Sequence, residues 1–404
     1  MRIRGSVTSV DRCNWAVRAG GIIAVLAALS LFLCACAAPG VGEEQSIRRR
    51  CREIVSLYRD LYDGAQKQQP ADRWEEQTLS QQSIDAIENR LLEKELDMID
   101  SSVDCPSYFV NADHFYQFWE AVQRGENASQ EIIAIRASGA LSYRLLRHQD
   151  GITYIYSLIS SLDGTEDADY EMHQVYGAEL TEQGNFYYRI NPEDDPHYAN
   201  YARIRLKKPD QALWELYSEY ILAGGYTATN IFLTDWTEAD FTKLCYNDVW
   251  EYLYRYRSGT QFWPDGCDYD KSRNCYLIPA GEFESAVLPF FKLDVQALRE
   301  LADYDAQTDC YPWRQVESND YAFYLTYYTI EPEVTSCQTN ADGTLALTVQ
   351  ARCTDLGIDC LFSHEVTVRP LADAGFQFVG NRVLTQTEKG LPYCEPRLTW
   401  DIAG

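Results

Sequence analysis

Apolar residues recur at helical spacing in three segments near the start of the chain. In the first segment, residues 46–63, they form one stripe along a helix. The second segment lies near residues 80–96, and the third runs from Ala112 to Gln123 and stops at Arg124-Gly125. The pattern predicts that the chain begins its folded part with helices.

Alternation of apolar and polar residues replaces the helical pattern after the third segment. Short polar turns, such as Asp150-Gly151, separate the alternating runs. The predicted strands are residues 132–136, 141–146, 152–158, 172–180, 185–190 and 201–206. Strands that follow one another through turns this short pair antiparallel.

Helices and then strands follow a second time. Helices are predicted at residues 209–223, in an aromatic-rich segment at 237–257, and as a short pair at 280–291 and 294–303. The strand-like pattern returns at 321–330, 333–338, 344–353, 360–369 and 375–384. This order predicts an α+β fold: N-terminal helices followed by an antiparallel sheet, aromatic-rich helices, then the C-terminal short-helix pair and a second antiparallel sheet. A turn-rich break at 258–274 divides the body into predicted domains 46–257 and 275–404.

The first forty residues predict an export signal with a lipid attachment site. Four arginines precede a continuous apolar run, residues 21–33, which is short for a membrane span of about 20 residues. The ending Leu33-Cys-Ala-Cys36 resembles the lipobox of bacterial lipoproteins. It predicts a signal peptide at residues 1–35, a lipid on Cys36 and a flexible tether at 36–45. An uncleaved anchor helix and ordinary secretion are the alternatives.

These interpretations agree on location, because each places the body outside the cytoplasm. The prediction is a protein on the extracytoplasmic face of the cell membrane, with the membrane as partner through its N-terminal lipid. The 404 residues include 61 Asp and Glu against 35 Lys and Arg, for a formal net charge of −26. That excess excludes a generic nucleic-acid binder, which needs a basic face.

Cysteines suggest disulfides in an exported chain. Of the 13 cysteines, ten remain after the signal peptide and Cys36 are set aside. Ten is an even number, and an oxidising compartment favours the pairing of cysteines in disulfides. Two local pairs are predicted, Cys353 with Cys360 across a hairpin and Cys267 with Cys275 across a polar loop. The alternative is buried free thiols. No C-x-x-C pair exists, the histidines lie far apart, and no metal site is predicted.

Catalytic motifs are absent from the sequence. It contains no G-x-S-x-G elbow, no phosphate-binding P-loop and no H-E-x-x-H. We therefore predict no catalytic residue and no cofactor. Paired carboxylates could serve glycoside hydrolysis, but among so many acidic residues such pairs arise by chance.

The amino-acid sequences of three segments resemble those of a known family. These are Ile221 to Phe241, Ile278 to Arg314, and His364 to Asn381. Together they are similar to a family of uncharacterised cell-surface lipoproteins from low-GC Gram-positive bacteria, a domain of unknown function, over most of residues 110–385. The resemblance implies export and lipidation and no activity, so it supplies no functional residues.

Aromatic residues are the remaining source of a functional prediction, with 29 Tyr, 15 Phe and 9 Trp. Most are expected in the core. Trp263, Tyr311 and Trp313 fall in turn-rich segments and are the candidate ligand-binding residues, because flat rings stack on sugars and peptides. The sequence thus predicts a lipid-anchored, non-catalytic binding or interaction module, whose ligand is a wall glycan or peptide. A wall-directed hydrolase using paired carboxylates and a structural envelope protein are the alternatives.

Overall fold

The computed structural model describes residues 41–68, 78–100, 106–160, 162, 170–191, 201–315, 330–372, 375–392 and 394–399. The predicted signal peptide, Cys36 and residues 37–40 of the predicted tether lie outside these ranges, as does most of the predicted strand 321–330. Residues 41–45 of the tether form the start of the first helix instead. No helix among the described residues is both long enough and apolar enough to cross a membrane.

Helices and strands occur in the predicted alternation. The helices are α1 (Val41–Gly64), α2 (Gln81–Leu92), α3 (Ala112–Gln123), α4 (Gln211–Leu216), α5 (Tyr246–Ser258), α6 (Ala280–Val287) and α7 (Val295–Leu301). The strands are β1 (Lys67–Gln68), β2 (Thr78–Leu79), β3 (Ile99–Asp100), β4 (Tyr108–Phe109), β5 (Ala128–Ile135), β6 (Leu141–Gln149), β7 (Ile152–Ser160), β8 (Glu171–Gln174), β9 (Tyr176–Leu180), β10 (Asn185–Arg189), β11 (Tyr201–Arg205), β12 (Trp236–Thr237), β13 (Asp268–Asp270), β14 (Cys275–Pro279), β15 (Cys310–Trp313), β16 (Ile330–Thr339), β17 (Leu345–Cys353), β18 (Ile358–Pro370) and β19 (Phe376–Gln386).

The larger sheets confirm the predicted α+β class. Their strand orders are β5-β6-β7-β8, β11-β10-β9, β12-β19-β18-β17-β16 and β13-β14-β15. One predicted helix is shorter than expected: of residues 237–257, only those from Tyr246 onward are helical. Trp236 and Thr237 instead pair with Asn381 and Gly380 as an edge strand, β12.

The described chain divides into two compact units. Unit 1 comprises residues up to Leu91 together with 135–144 and 156–172; unit 2 comprises 92–134, 145–155 and the residues from His173 on. In unit 1, the Tyr58 hydroxyl donates to the Gly139 carbonyl at 3.2 Å. Gly139 has φ +83°, and a Cβ there would lie 2.8 Å from the Leu79 side chain. Only glycine fits this turn without displacing its neighbours.

Two apolar clusters form the interior of unit 2. The smaller one contains Phe115 of α3, whose ring meets those of Phe109 and Phe186 at centroid distances of 5.5 and 5.0 Å. The larger one combines α5, α6 and the five-stranded sheet, and it contains Trp250 and Phe378. This cluster has members on both sides of residues 258–274, so the predicted domain boundary does not separate two cores.

A polar triad lies inside the larger cluster. His364 on β18 is fully buried, and its Nε2 accepts a hydrogen bond from the Tyr226 hydroxyl, 2.7 Å away. Its Nδ1 lies 2.6 Å from Oδ1 of Asn381, whose amide nitrogen donates to the carbonyls of Phe232 and Thr234. Because that amide orientation makes Oδ1 an acceptor, Nδ1 carries the proton. The imidazole is neutral and both its nitrogens are satisfied.

Arg397 holds the C-terminal segment against α5. Its side chain is fully buried, and Nη2 donates to the Asp248 carbonyl at 2.7 Å and to Glu251 at 3.0 Å. The Arg397 backbone N–H also donates to the Asp248 carboxylate at 3.2 Å. Burial alone would lower the pKa of Arg397, but the charges of Glu251 and Asp248 outweigh it and raise that pKa. The arginine therefore compensates two acidic groups of the helix.

Candidate functional site

The three predicted ligand-binding aromatics occupy different environments. Trp263 is 65% exposed, so it can meet a ligand from solvent. Tyr311 and Trp313 were expected in a loop, but they lie on β15, are 0% and 1% exposed, and belong to the larger core cluster. Trp313 packs edge-on against Trp250 at 5.6 Å between centroids. The prediction that these two form a binding surface is wrong, because pairing with β14 turns them into the core.

The two predicted disulfides are not formed in the structure. All four cysteines are free thiols. In the β13–β14 hairpin, Asp270 opposes Cys275, so Cys267 lies about 10 Å further along at about 3.3 Å per residue. In the β17–β18 hairpin Cys353 opposes Ile358, whereas Cys360 bonds through its sulfur to the Phe362 carbonyl at 3.3 Å. Neither pair is in register for a bridge.

A cavity in unit 2 provides a different candidate site. Its volume is about 260 Å³, and its lining combines arginines and glutamates with apolar and aromatic side chains. We call it the Arg–Glu cavity; it is lined by Pro106, Arg203, Arg205, Pro209, Asp210, Leu213, Trp214, Tyr217, Ile330, Glu331, Pro332, Glu333, Val334 and Arg352. A concave surface that combines apolar and aromatic side chains with convergent polar groups is the usual form of a ligand site.

Strand alternation places the charges. On β11, Arg203 and Arg205 share one face, while Ile204 between them enters the smaller core cluster. On β16, Glu331 and Glu333 likewise share a face. Arg352 on β17 opposes Glu331 directly across the ladder. Two strands of opposite charge therefore meet at the cavity.

Ion pairs join the two faces. Arg205 donates to Glu333 through both of its Nη atoms, at 2.7 and 3.1 Å, and Arg352 donates to the same carboxylate at 2.7 Å. Arg203 pairs with Glu331. Each glutamate is thus held by arginine from a distant part of the sequence, and the Arg205 pair is bidentate, the stronger arrangement.

Asp359 completes the network behind the cavity. Its Oδ1 accepts from the Asn185 amide at 2.7 Å and from the Tyr187 hydroxyl at 2.9 Å. Burial and the charge of Asp359 raise the pKa of Tyr187. Asp359 also lies 3.8 Å from Nε of Arg352. Asn185 Oδ1 in turn accepts from Arg203 at 3.0 Å, so the network reaches two of the cavity's arginines.

Aromatic rings form another part of the cavity lining. Trp214 and Tyr217 stack with centroids 4.7 Å apart and planes 23° from parallel. They belong to α4 and to the π-helical turn Tyr217–Ile221 that continues it. The helix begins at Asp210, whose carboxylate accepts from the Leu213 N–H at 3.1 Å. Single π turns inside helices are frequent at functional sites.

The pKa values follow from burial and pairing. Burial would raise the pKa of Glu333, but hydrogen bonds and charges from Arg205 and Arg352 outweigh it and lower that pKa. Burial would lower the pKa of Arg352, but the Glu333 hydrogen bond and charge raise it. Burial is the largest influence on Arg203 and lowers its pKa, with Glu331 opposing. At neutral pH the cavity therefore presents ionised groups of both signs.

The exposed parts of these groups are mainly the carboxylates. The side chains of Glu331 and Glu333 are 33% and 32% exposed, whereas that of Arg352 is 7% exposed. Across the lining, three arginines face three acidic residues, so their formal charges cancel. Among the described residues, no group of three or more His, Cys, Asp and Glu side chains is placed to hold a metal ion.

Sequence reasoning did not find this cavity. The available signals were two short alternations, Arg203-Ile-Arg205 and Glu331-Pro-Glu333, each on a strand-like run. Arg205 and Glu333 are 128 residues apart in sequence, and nothing local indicates that they pair.

Comparison with known proteins gives one match. A family model described as "Family of unknown function (DUF6070)" matches residues 44–397. No match to a curated protein or to a solved structure was found. The matched range is wider than residues 110–385 and includes the whole Arg–Glu cavity.

Proposed function

The chain belongs to the family of unknown function DUF6070, and we propose that it is a lipid-anchored protein on the extracytoplasmic face of the membrane that binds a small ligand in the Arg–Glu cavity without converting it. The observation that carries the proposal is the cavity itself. It combines an aromatic wall, Trp214 and Tyr217, with a fixed array of ion-paired groups. Pre-positioned polar groups beside an apolar surface provide orientation and affinity together.

The lipid anchor rests on the sequence. The basic start, the apolar run at 21–33 and the Leu33-Cys-Ala-Cys36 ending support a lipid on Cys36, and the resemblance to surface lipoproteins of Gram-positive bacteria supports the same location. A ligand from the cell envelope, a wall glycan or a peptide, suits that position. Incorporation of a labelled fatty acid by cells that express the chain, lost in Cys36→Ser, is the expected result. Labelling that persists in Cys36→Ser contradicts the anchor.

Hydrolysis by paired carboxylates is the second candidate, because Glu331 and Glu333 both line the cavity. A glycosidase needs one carboxyl group with a raised pKa as its general acid. The arginine contacts lower the pKa of Glu333 instead. A carboxylate held ionised by two arginines favours recognition over proton transfer.

The test is a thermal-shift screen of the full-length protein against envelope glycans and peptides. A ligand that binds the folded state raises the melting temperature. Trp214→Ala is expected to abolish the shift, whereas Trp263→Ala, which changes an exposed tryptophan on another surface, is expected to retain it. Mass spectrometry of the recovered ligand is expected to find it unchanged.

The outcomes separate the candidates. Cleaved ligand in the wild type, and intact ligand with Glu331→Gln, supports the hydrolase and contradicts a purely binding role. A shift that Trp263→Ala removes and Trp214→Ala retains places binding at the exposed loop and contradicts the cavity. No shift with any envelope fraction contradicts the binding proposal and favours the structural envelope protein.

A further inference from the structure

We propose that the ligand of the Arg–Glu cavity is an uncharged saccharide unit, an inference that rests on the proposed binding function and names its ligand class. A sugar ring has an apolar C–H face and a rim of hydroxyl groups. The cavity lining offers both kinds of partner, the rings of Trp214 and Tyr217 and the carboxylates of Glu331 and Glu333. The ring would lie against the indole while its hydroxyls reach the carboxylates.

The charge of the cavity argues for a neutral ligand. Its three arginines and three acidic residues cancel, and the ion pairs already join most of them at hydrogen-bond distance. An anion would be repelled by Glu331 and Glu333, and a cation by the arginines beside them. A charged ligand would also have to break an existing pair and leave a partner unpaired, which is costly where groups are buried.

The exposed acceptors specify hydroxyl groups. The glutamate side chains are about one-third exposed, while the guanidinium of Arg352 is almost covered. A ligand therefore meets carboxylate oxygens first, and these only accept hydrogen bonds. Hydroxyls can donate to a carboxylate and, through the same oxygen, accept from a guanidinium.

The volume selects a small unit. The cavity measures about 260 Å³, just below the range of roughly 300–1,000 Å³ typical of drug-sized ligand sites. One sugar ring with its substituents fits this space. A longer glycan would insert a single residue and leave the rest in solvent.

The test is calorimetric titration of the full-length protein, held in a detergent without a sugar headgroup. The probes are glucose, N-acetylglucosamine and its neutral disaccharide, with choline and citrate as the cationic and anionic comparisons. At least one neutral sugar is expected to bind, with an affinity that changes less than about twofold between roughly 0.02 and 0.3 M NaCl, because no net charge is neutralised.

Variants locate the binding. Trp214→Ala is expected to weaken sugar binding about tenfold, and Trp214→Phe is expected to restore part of the affinity because it keeps a flat ring. Trp263→Ala is expected to leave the affinity unchanged. Glu331→Gln is expected to weaken sugar binding severalfold, since an amide offers one acceptor oxygen in place of two. A protein that unfolds in one variant is still tested by the others, because Trp214→Phe preserves most of the packing.

The contrary results are distinct from a failure of the proposed function. Binding of choline or citrate alone, lost in Trp214→Ala and steeply weakened by salt, overturns the saccharide assignment and leaves a binding cavity. Failure of every neutral sugar to bind also overturns it. Sugar binding that Trp214→Ala and Glu331→Gln leave unchanged overturns both the assignment and the cavity as the binding site.

Discussion

Acidification is expected to destabilise unit 2 through His364. This side chain is fully buried against aromatic rings, with Tyr226 bonded to Nε2 and Asn381 to Nδ1. Burial lowers its pKa from 6.5 to about 4, and the Asn381 hydrogen bond only partly opposes that shift. The folded protein therefore keeps the imidazole neutral at pH values where an unfolded chain would protonate it.

The sign and size follow from that difference. Above pH 6.5 both states are neutral and the histidine contributes no pH dependence. As the pH falls from 6.5 toward 4, the unfolded state binds the extra proton and the free energy of unfolding decreases. Lowering the pKa from 6.5 to about 4 corresponds to a loss of about 3 kcal/mol in the free energy of unfolding below pH 4. About 2 kcal/mol of this is lost by pH 5.

The assay is urea denaturation between pH 7 and 5, followed by tryptophan fluorescence. All the described tryptophans belong to unit 2, as does His364: Trp119, Trp214, Trp236, Trp250, Trp263 and Trp313. The readout is the difference between the wild type and His364→Gln, which lacks the titrating group. Asp248 works in the opposite direction, since burial raises its pKa to about 6 and its protonation stabilises the fold as the pH falls. Because both proteins contain Asp248, its effect cancels in the difference.

Tyr226→Phe is the matched control. It removes the hydroxyl bonded to Nε2 and keeps the buried imidazole, so its baseline stability is expected to fall while its pH slope stays close to that of the wild type. His364→Gln is expected to lose about 2 kcal/mol less than the wild type between pH 7 and 5. Equal slopes in the wild type and His364→Gln would refute the reasoning.

Four further substitutions test the packing. The first three use the same denaturation assay, whereas Gly139→Ala lies in unit 1, away from the described tryptophans, and is followed by far-UV circular dichroism during urea denaturation. Trp313→Ala is expected to cost about 3–5 kcal/mol because the ring is core, whereas Trp263→Ala is expected to cost less than about 0.5 kcal/mol because the ring is exposed; equal costs would contradict this. Arg397→Ala is expected to cost about 3–5 kcal/mol, since it leaves buried acidic groups unpaired. An unchanged free energy of unfolding would show that the contacts of Arg397 are dispensable. Gly139→Ala is expected to cost more than about 1 kcal/mol at φ +83°, and a stabilised variant would contradict the strain.

Local patterns sufficed for much of the fold. Helix α3 has the predicted bounds, Ala112 to Gln123, because its apolar spacing and its stop signal are both local. The turn predicted at Asp150-Gly151 joins β6 to β7, and both of its residues have positive φ, 52° and 80°. Trp313 was misplaced because its burial depends on β14 as a partner strand, which its own Pro-containing segment does not indicate.

The site was less accessible to sequence reasoning for the same physical reason. Arg203 and Arg205 look like solvent-facing residues of an alternating strand, and so do Glu331 and Glu333. Their meeting depends on how two distant hairpins approach each other, which a single sequence does not encode in any local period. The cavity is therefore a property of tertiary packing, whereas the predicted export signal rests on the composition of one continuous segment.

The contacts of Arg397 with Asp248 and Glu251, called here the Arg397 clamp, join parts of the chain that are synthesised at different times. Helix α5 leaves the ribosome 149 residues before the arginine that neutralises Asp248, so the nascent helix carries Asp248 and Glu251 without their counter-charge. The core around α5 is therefore expected to be less stable until the arginine has been translated. A polypeptide truncated before it would expose a loosened aromatic interior to chaperones and proteases. The stability of the α5 region thus depends on a residue that is synthesised 149 residues after Asp248.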